Sequence, residues 1–356
     1  MKIFHCNIWG DIEISDLALS VIDTIEFQRL HYIRQTGCAY KVFPTAVTCR
    51  FEHSIGTYHL TGLILDALMT KQKDIIEDNK IELIKIGGLC HDLGHGPYSH
   101  TFDNYFLKDK DIGSWQYHEK RSQDIFKYIV DKYSLKFSEN DVNFVCQVID
   151  NNSNLWYLNL VSNKINGVDS DKLDYICRDN NAFGLKLNID VNRIIKNCMI
   201  IDNKLCFCDR IKDGIFNLFF VRYRLYREIY CHPKIISFEL SMKDILEESE
   251  DIINIMINKN IDKFCELTDY SILNFSSQQK RDEYAMRNKY KPNPDGEVTL
   301  NVEVGFLGNK TNPIENIFFY NRKNQNRCFK IESSSMNIFS RNKSFTENIE
   351  YNFRKN

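Results

Sequence analysis

The sequence predicts a mainly α fold, in which a helical core is followed by a small α+β appendage at the C-terminal end. Only 6 prolines and 15 glycines interrupt the 356 residues, and long stretches repeat apolar residues at helical spacing. Segments with the pattern of strands are short and all lie after residue 197. Hydrophobic residues make up 43% and charged residues 26%, a composition typical of a globular protein with a buried core.

Six segments have the apolar periodicity of helices. In the segment 57–69, Leu60, Ile64 and Leu68 lie on one face of the predicted helix. The predicted helices are 57–69, 82–90, 122–130, 141–149, 211–230 and 240–258. The predicted strands are 198–201, 205–208, 298–304 and 317–320, the first two of them joined by a turn at Asp202 and Asn203.

The composition changes near Ser276, and this change divides the chain. Residues 276–296 are polar and basic and end in Pro-Asn-Pro-Asp-Gly, a sequence typical of a loop. We therefore predict four regions along the chain. They are a helical domain over 1–275, a polar linker or loop over 276–297, a small β-leaning subdomain over 298–341 and a frayed tail over 342–356.

Charge and cysteine usage exclude several classes of protein. The formal net charge is -2, so no global basic field attracts the chain to nucleic acid or membrane. No apolar run approaches the ~18 residues that a membrane span needs, and polar residues interrupt the N-terminus before a signal-peptide core. Twelve cysteines are scattered without a C-x-x-C pair. This pattern predicts an intracellular protein, in cytoplasm or nucleus, rather than a disulfide scaffold.

The histidines are clustered, since eight of the nine precede residue 119. His53 is followed by the stretch HDLGHGPYSHTFD over 91–103, then by His118 and, much later, by an acidic group over 169–174. Imidazole nitrogens and carboxylate oxygens together suit a divalent metal such as Zn, Fe, Mn or Ni. This density of ionisable groups therefore indicates a metal site.

Adjacent residues on a helix, such as His91 and Asp92, lie about 100° apart around its axis. Both side chains reach one ion only if the ion lies beside the helix end and residues from other parts of the chain complete its coordination shell. His53 and a carboxylate of the 169–174 group can do this. The alternative is a purely structural cluster, but burying so many ionisable groups without metal or substrate costs more free energy than a core tolerates.

Five long segments resemble the HD superfamily of metal-dependent phosphohydrolases, which share the order H…HD…D. Within it, the match is closest to the deoxynucleoside triphosphate triphosphohydrolases, whose vertebrate members combine a SAM and an HD domain. The segments are 22–35, 50–56, 88–103, 161–179 and 312–331. The resemblance implies a helical HD-domain core without a SAM domain. It also implies hydrolysis of a dNTP to a deoxynucleoside and inorganic triphosphate, which would control dNTP pools.

The resemblance also implies roles for individual residues, carried over by motif position. The implied metal ligands are His53, His91, Asp92 and Asp171, and the choice of Asp171 over its acidic neighbours rests on the match alone. The implied catalytic residues are His95, His100, Asp103, His118 and Glu119. Among them His100, held by Asp103, would give a proton to the leaving 5′ oxygen.

Seven further residues match positions that bind the nucleotide in the family. Arg50, Lys172 and Arg222 match phosphate-binding cations, Gln35, Tyr175 and Asp179 match residues that hold the deoxyribose, and Tyr230 closes the sugar and base pocket. The implied cofactors are one divalent transition metal (Fe, Zn, Mn or Ni) in the His/Asp site and Mg²⁺ with the nucleotide. From the residues alone, Arg222 could equally lie on a solvated helix face and Lys172 could pair with Asp169.

Several positions depart from the family and bear on regulation and specificity. Asp23 and Gln28 match guanine-reading residues of a regulatory nucleotide site, but His31 stands where the family has Arg. The resemblance implies a homo-oligomer (dimer or tetramer). The departures lead us to expect that its activity needs no GTP or uses another activator. Thr36 replaces a Leu that abuts the 2′ edge of the sugar, so the exclusion of ribonucleotides is an open question.

Two alternative functions belong to other classes. The first is an HD phosphodiesterase or nuclease that acts on oligonucleotides or cyclic nucleotides. The second is a non-catalytic binder of nucleotides, or a weak binder of single-stranded nucleic acid, that uses interleaved arginines and tyrosines. Its candidate residues are Arg222, Arg224 and Arg227 with the basic stretch 279–292.

Overall fold

Helices form most of the chain in the computed structural model, which describes residues 2–285, 287, 289–306, 312–332 and 344–355. The α-helices in these ranges are α1 (Asp16–Ile22), α2 (Ile25–Gln28), α3 (Arg50–Lys71), α4 (Asp78–Cys90), α5 (His118–Lys132), α6 (Glu139–Ile149), α7 (Ser170–Ala182), α8 (Val191–Lys196), α9 (Lys212–Arg224), α10 (Pro233–Leu246), α11 (Glu250–Ile257), α12 (Ile261–Glu266), α13 (Asp269–Phe275) and α14 (Gln278–Ala285). Two π-helical segments, Phe102–Phe106 and Leu225–Tyr230, extend this set.

The strands form a hairpin and two small sheets. They are β1 (Lys2–Cys6), β2 (Gly10–Ile14), β3 (Cys198–Ile201), β4 (Lys204–Cys208), β5 (Tyr290–Pro292), β6 (Val298–Gly305), β7 (Phe318–Asn321), β8 (Asn324–Lys330) and β9 (Thr346–Lys355). β1 and β2 pair as the N-terminal hairpin, and the sheets have the orders β3-β4-β7-β8 and β5-β9-β6. The mainly α fold with a small α+β appendage is therefore confirmed.

Apolar helix faces build the core around α3. The long helix α3 packs against α4 and α7, and the amphipathic α5 buries Ile125 and Phe126. The approach of α3 to α7 requires a glycine, because a Cβ added at Gly56 would lie 1.9 Å from Asp174 Oδ1. This close packing brings the start of α3 next to α7.

Three of the predicted segments have a different secondary structure. The predicted helix 240–258 is two helices, α10 and α11, separated by a turn at 247–249. The predicted linker 276–297 contains helix α14 and strand β5, because ion pairs such as Lys289–Asp244 (2.8 Å) and packing on α10 order it. The tail predicted to fray forms β9 over Thr346–Lys355, since its backbone pairs with β5 and β6.

The other predicted segments within the described ranges form helices or strands that overlap them. Parts of the predicted subdomain and tail, 307–311, 333–343 and residue 356, lie outside the described residues. The division into domains stays a prediction. Across the described ranges, every helix is too short or too polar to cross a membrane.

Candidate active site

Three stretches that are distant in the chain meet beside α3. His53 lies near the start of α3, His91 and Asp92 directly follow the last residue of α4, and Asp171 lies in the first turn of α7. His53 is fully buried, and the exposed fractions of His91 and Asp92 are 7% and 3%. We call these four residues the metal cluster.

The ligand atoms of the metal cluster have the spacing of one coordination shell. His53 Nε2 lies 3.3 Å from His91 Nε2, 3.4 Å from an Asp92 oxygen and 3.2 Å from Asp171 Oδ1. His91 Nε2 lies 3.3 Å from Asp92 Oδ1 and 3.6 Å from Asp171 Oδ1. Ligands about 2.1 Å from a tetrahedral ion are themselves about 3.4 Å apart. The donors of His53, His91 and Asp92 have the spacing that suits a single ion, and Asp171 Oδ1 lies beside both imidazoles.

The hydrogen bonds of the two imidazoles leave both Nε2 atoms facing the centre of the cluster. His53 Nδ1 donates to Asp174 Oδ2 at 2.8 Å, and His91 Nδ1 donates to the Gly88 carbonyl at 2.7 Å. In the neutral ring the other nitrogen then carries a lone pair. Neutral rings would present two lone pairs 3.3 Å apart, an arrangement that a cation between them stabilises. Without metal, a proton on His53 takes that place, because the surrounding carboxylates favour its charged form.

The charges of the metal cluster favour a cation as well. Burial lowers the pKa of His53, but the carboxylates of Asp171, Asp174 and Asp92 raise it to about 10. Burial raises the pKa of Asp92, whereas Arg50 and the neighbouring imidazoles lower it well below its usual range. This excess of buried carboxylate and the mixed nitrogen and oxygen donors fit a divalent metal ion.

A second group of histidines lies next to the metal cluster, and we call His95, His100, Asp103 and His118 the acid–base cluster. His95 Nδ1 lies 3.0 Å from Asp103 Oδ2, and the rings of His95 and His118 stack with centroids 4.0 Å apart. Arg121, which is fully buried, forms an ion pair with Asp103. Burial raises the pKa of Asp103, but Arg121 and His95 lower it below its usual range.

His100 differs from the prediction in its partner. Among the described residues no hydrogen bond joins His100 to Asp103. Arg121 pairs with one oxygen of that carboxylate, and the other lies 3.0 Å from His95 Nδ1. His100 instead opens into the cavity, with its ring 5.3 Å from that of His95. The protein around the cavity desolvates the imidazole, and together with His95 and Arg50 this lowers the pKa of His100 to about 4.

Both clusters border a cavity of about 450 Å³. All seven residues predicted to bind the nucleotide line it, namely Gln35, Arg50, Lys172, Tyr175, Asp179, Arg222 and Tyr230. His95, His100, His118 and Glu119 line it too, and Glu119 Oε2 lies 3.5 Å from His118 Nδ1. Tertiary packing thus brings residues from across more than 190 positions of the chain to one surface.

The three cations of the cavity are held in place by different partners. Arg50 pairs with Asp92 and donates from Nε to the Ser99 hydroxyl at 2.8 Å, while its buried Nη2 has no hydrogen-bond partner. Lys172 Nζ lies 2.7 Å from Asp169, as one sequence interpretation suggested. Arg222 donates to the Tyr175 hydroxyl at 3.1 Å and to two carbonyls at the end of β6, at 2.9 and 2.8 Å.

The wall that carries the predicted sugar-binding residues has polar atoms without protein partners. Gln35 Oε1, Thr36 Oγ1 and Asp179 Oδ1 are buried and accept or donate no hydrogen bond within the protein. The other carboxylate oxygen of Asp179 accepts from the Tyr230 hydroxyl, and burial raises the pKa of Asp179 to about 6. Unpaired buried polar atoms cost free energy, so this wall suits a polar ligand.

Sequence reasoning missed several residues of the site. Asn104, Tyr105 and Glu239 also line the cavity, and β6 of the appendage adds Val302 and Glu303. Burial raises the pKa of Glu239 to about 7. A glutamate in an amphipathic helix such as α10 carries no local signal that distinguishes a cavity wall from a solvated face, so only tertiary structure could reveal it.

The two predicted regulatory residues lie elsewhere. Asp23 is exposed at the end of α1, and Gln28 donates from its side chain to the Ile22 carbonyl at 2.9 Å. Neither lines the cavity, and nearby His31 stacks on Phe51 with ring centroids 3.7 Å apart. Their regulatory role stays a prediction.

Comparison with known proteins identifies relatives of the chain. Residues 50–185 match the HD domain family. The chain is 36% identical over 295 residues to an HD domain-containing protein (L394) of Acanthamoeba polyphaga mimivirus, covering 78% of this chain and 64% of the relative. It is 34% identical over 261 residues to the deoxynucleoside triphosphate triphosphohydrolase SAMHD1 homolog of Dictyostelium discoideum (71% and 50% covered).

The human deoxynucleoside triphosphate triphosphohydrolase SAMHD1 is 35% identical over 288 residues, with 72% of this chain and 46% of the relative covered. The chain therefore spans from about half to just under two thirds of the length of these relatives. The matched HD region contains all four residues of the metal cluster. This chain is therefore an HD-domain protein, related in sequence to the deoxynucleoside triphosphate triphosphohydrolases.

Proposed function

We propose that this chain hydrolyses deoxynucleoside triphosphates to a deoxynucleoside and inorganic triphosphate, and so controls dNTP pools. The observation that carries the proposal is the composition of the cavity. A cluster with the donors for a divalent metal, three cations and a polar wall without protein partners border one space of about 450 Å³. A triphosphate brings several negative charges to the cations, and a sugar brings hydroxyls to the polar wall.

In the proposed reaction, a water oxygen attacks the α-phosphorus and the bond from phosphorus to O5′ breaks. When bound, a divalent metal supplies Lewis-acid chemistry at the phosphoryl group. His100 gives a proton to O5′, and one proton from the attacking water replaces it, so that the enzyme is unchanged after turnover. The low pKa of His100 leaves it neutral in the empty cavity, and the negative charge of a bound triphosphate raises its pKa.

Arg50 is the cation best placed to neutralise charge at the reacting phosphate. It touches the metal cluster through Asp92, and its partnerless Nη2 is buried beside the cavity. Two imidazole ligands lead us to propose a transition metal (Fe, Zn, Mn or Ni), with Mg²⁺ arriving on the nucleotide. The family resemblance leads us to propose a homo-oligomer, which light scattering of the purified protein can measure.

The nucleic-acid alternative has less support from the described surface. Arg224 pairs with Glu228 at 2.6 Å, and Arg227 pairs with Glu347 at 2.9 Å. Both arginines therefore already have carboxylate partners, whereas a phosphate-binding stripe needs available cations.

The decisive assay incubates each of the four dNTPs and four rNTPs with the protein and Mn²⁺ or Mg²⁺, and resolves the products by chromatography. We expect deoxynucleoside and triphosphate in equal amounts. Nucleoside monophosphate with pyrophosphate, or cleavage of oligonucleotides without attack on any dNTP, would favour the phosphodiesterase alternative. The rNTPs belong in the assay because Thr36, whose buried hydroxyl has no hydrogen-bond partner in the protein, lines the cavity.

A further inference from the structure

We propose that Trp9, at the tip of the N-terminal hairpin, is a positioning residue for His53 and acts through Asp174. Trp9 lies in the turn between β1 and β2 and is far in sequence from every residue of the metal cluster. Its indole Nε1 donates to Asp174 Oδ1 at 2.6 Å. The inference depends on the metal cluster and not on the substrate.

Asp174 is a fully buried carboxylate that receives four hydrogen bonds. Oδ1 accepts from Trp9 at 2.6 Å and from Arg178 Nη2 at 2.8 Å. Oδ2 accepts from His53 Nδ1 at 2.8 Å and from Arg178 Nε at 2.9 Å. An ionised carboxylate has about four lone-pair positions, so the donors occupy them all and fix the rotation of the group about its Cβ–Cγ bond.

The orientation of Asp174 decides the orientation of the His53 ring. The Nδ1–H bond to Asp174 holds the imidazole in the tautomer whose Nε2 lone pair faces His91 and Asp171. Outer hydrogen bonds of this kind typically contribute about 10-fold to 100-fold to metal affinity. Without the indole N–H, Oδ1 keeps a single donor and the carboxylate gains freedom to turn away from His53.

The hairpin is built so that it holds the indole against α7. Gly10 begins β2 with a φ of +73°, a left-handed conformation that glycine adopts without strain. The Trp9 ring packs against both large apolar clusters of the core. On the same side, Arg178 Nη2 lies 3.6 Å from Cys6 Sγ at the end of β1. The hairpin thus contacts Asp174 through Trp9 and Arg178 through Cys6.

The test replaces Trp9→Phe, which keeps an aromatic ring and removes the N–H donor. Metal affinity is measured by competition with a chelator, and metal content by mass spectrometry. We expect about tenfold weaker binding of Zn²⁺ or Mn²⁺, and turnover that returns when metal is in excess. A merely structural role would not be rescued by added metal.

Trp115→Phe is the matched control. Trp115 Nε1 donates to Asp124 Oδ2 at 2.8 Å, so the control loses the same kind of hydrogen bond in a place that does not touch the metal cluster. We expect it to lower thermal stability and to leave metal affinity unchanged. Equal weakening of metal binding in both variants would overturn the proposal, as would a folded Trp9→Phe protein that binds metal as tightly as wild type.

A double-mutant cycle separates action through Asp174 from an independent effect. Asp174→Asn cannot accept from every present donor and should weaken metal binding at least as much as Trp9→Phe. The double variant should bind no more weakly than Asp174→Asn alone, and additive losses would contradict the proposed route.

If Trp9→Phe does not fold, benzothienylalanine at position 9 keeps the shape of indole without the N–H. Failure to hydrolyse dNTPs would leave these affinity differences intact.

Discussion

Two histidine clusters lie side by side on the cavity wall and use the same residue types. In and beside the metal cluster, three carboxylates, the buried Asp92 and Asp174 and the half-buried Asp171, outnumber the two arginines that pair with them, Arg50 and Arg178. In the acid–base cluster, the single carboxylate of Asp103 is matched by Arg121.

This difference shifts the imidazole pKa values of the two clusters in opposite directions. Burial lowers the pKa values of His53 and His91, but neighbouring carboxylates raise both above the usual range. In the acid–base cluster, burial and His95 lower the pKa values of His100 and His118. The balance of fixed charge, and not the histidine itself, thus separates the environment of His53 and His91, which favours a cation, from that of His100 and His118, which favours neutral imidazoles.

The largest expected effect is the loss of a metal ligand. His91→Ala should remove the metal and abolish dNTP turnover, because the other groups of the cluster then lack one imidazole donor. Metal content by mass spectrometry and a triphosphate-release assay measure the two outcomes. Normal metal content in the variant would show that His91 lies outside the coordination shell.

The acid–base cluster should respond differently. His100→Ala should lower kcat by about 10² to 10⁴ and leave metal content intact, because proton transfer typically contributes that factor. The same two measurements apply, so the pair of variants compares the clusters directly. Full activity of His100→Ala would remove it from the mechanism, and loss of metal would erase the distinction between the clusters.

Neutralising Asp103 should destabilise the fold rather than empty the metal cluster. Asp103→Asn leaves the fully buried Arg121 without its carboxylate, and an uncompensated buried charge typically costs about 3–5 kcal/mol. Urea unfolding at neutral pH measures the change in the free energy of unfolding. A change below about 1 kcal/mol would show that Arg121 depends mainly on its carbonyl partners Gly94 and Trp115.

The smallest effect concerns Glu239, a cavity carboxyl whose pKa burial raises from 4.5 to about 7. The folded state binds its proton more tightly than the unfolded state, so the free energy of unfolding falls as pH rises from about 4.5 to 7. Glu239→Gln replaces the titrating carboxyl with a neutral amide and so removes this pH-dependent decrease in the free energy of unfolding. The shift corresponds to at most about 3 kcal/mol, and water in the cavity reduces the expected gain at pH 8 to about 1–2 kcal/mol.

Urea unfolding of wild type and Glu239→Gln at pH 5 and pH 8 checks this expectation. The variant should gain stability relative to wild type at pH 8 and differ little at pH 5. Glu303→Gln is the matched control, since Glu303 is an exposed carboxylate of the same cavity. An equal difference between Glu239→Gln and wild type at both pH values would show that burial does not determine the pKa of Glu239.

Local patterns predicted the helical core and pointed to the His/Asp group of His53, His91 and Asp92. The periodicity of 57–69 and 82–90 marks α3 and α4 because their apolar faces are buried. His91 and Asp92 stand out because ionisable residues directly follow an apolar helix. Local patterns could not predict that β9 and α14 form regular secondary structure, since both are stabilised by partners distant in the chain.

The sequence by itself determined the fold class, the clustering of histidines and aspartates, and the resemblance of its motifs to HD-domain phosphohydrolases. Tertiary structure alone decided which partner each ionisable group takes: Asp103 forms an ion pair with Arg121, Glu239 borders the cavity, and Trp9 reaches Asp174. The physical reason is that helix and motif signals depend on neighbours within a few positions, whereas charge pairing and desolvation depend on atoms that packing brings within about 4 Å.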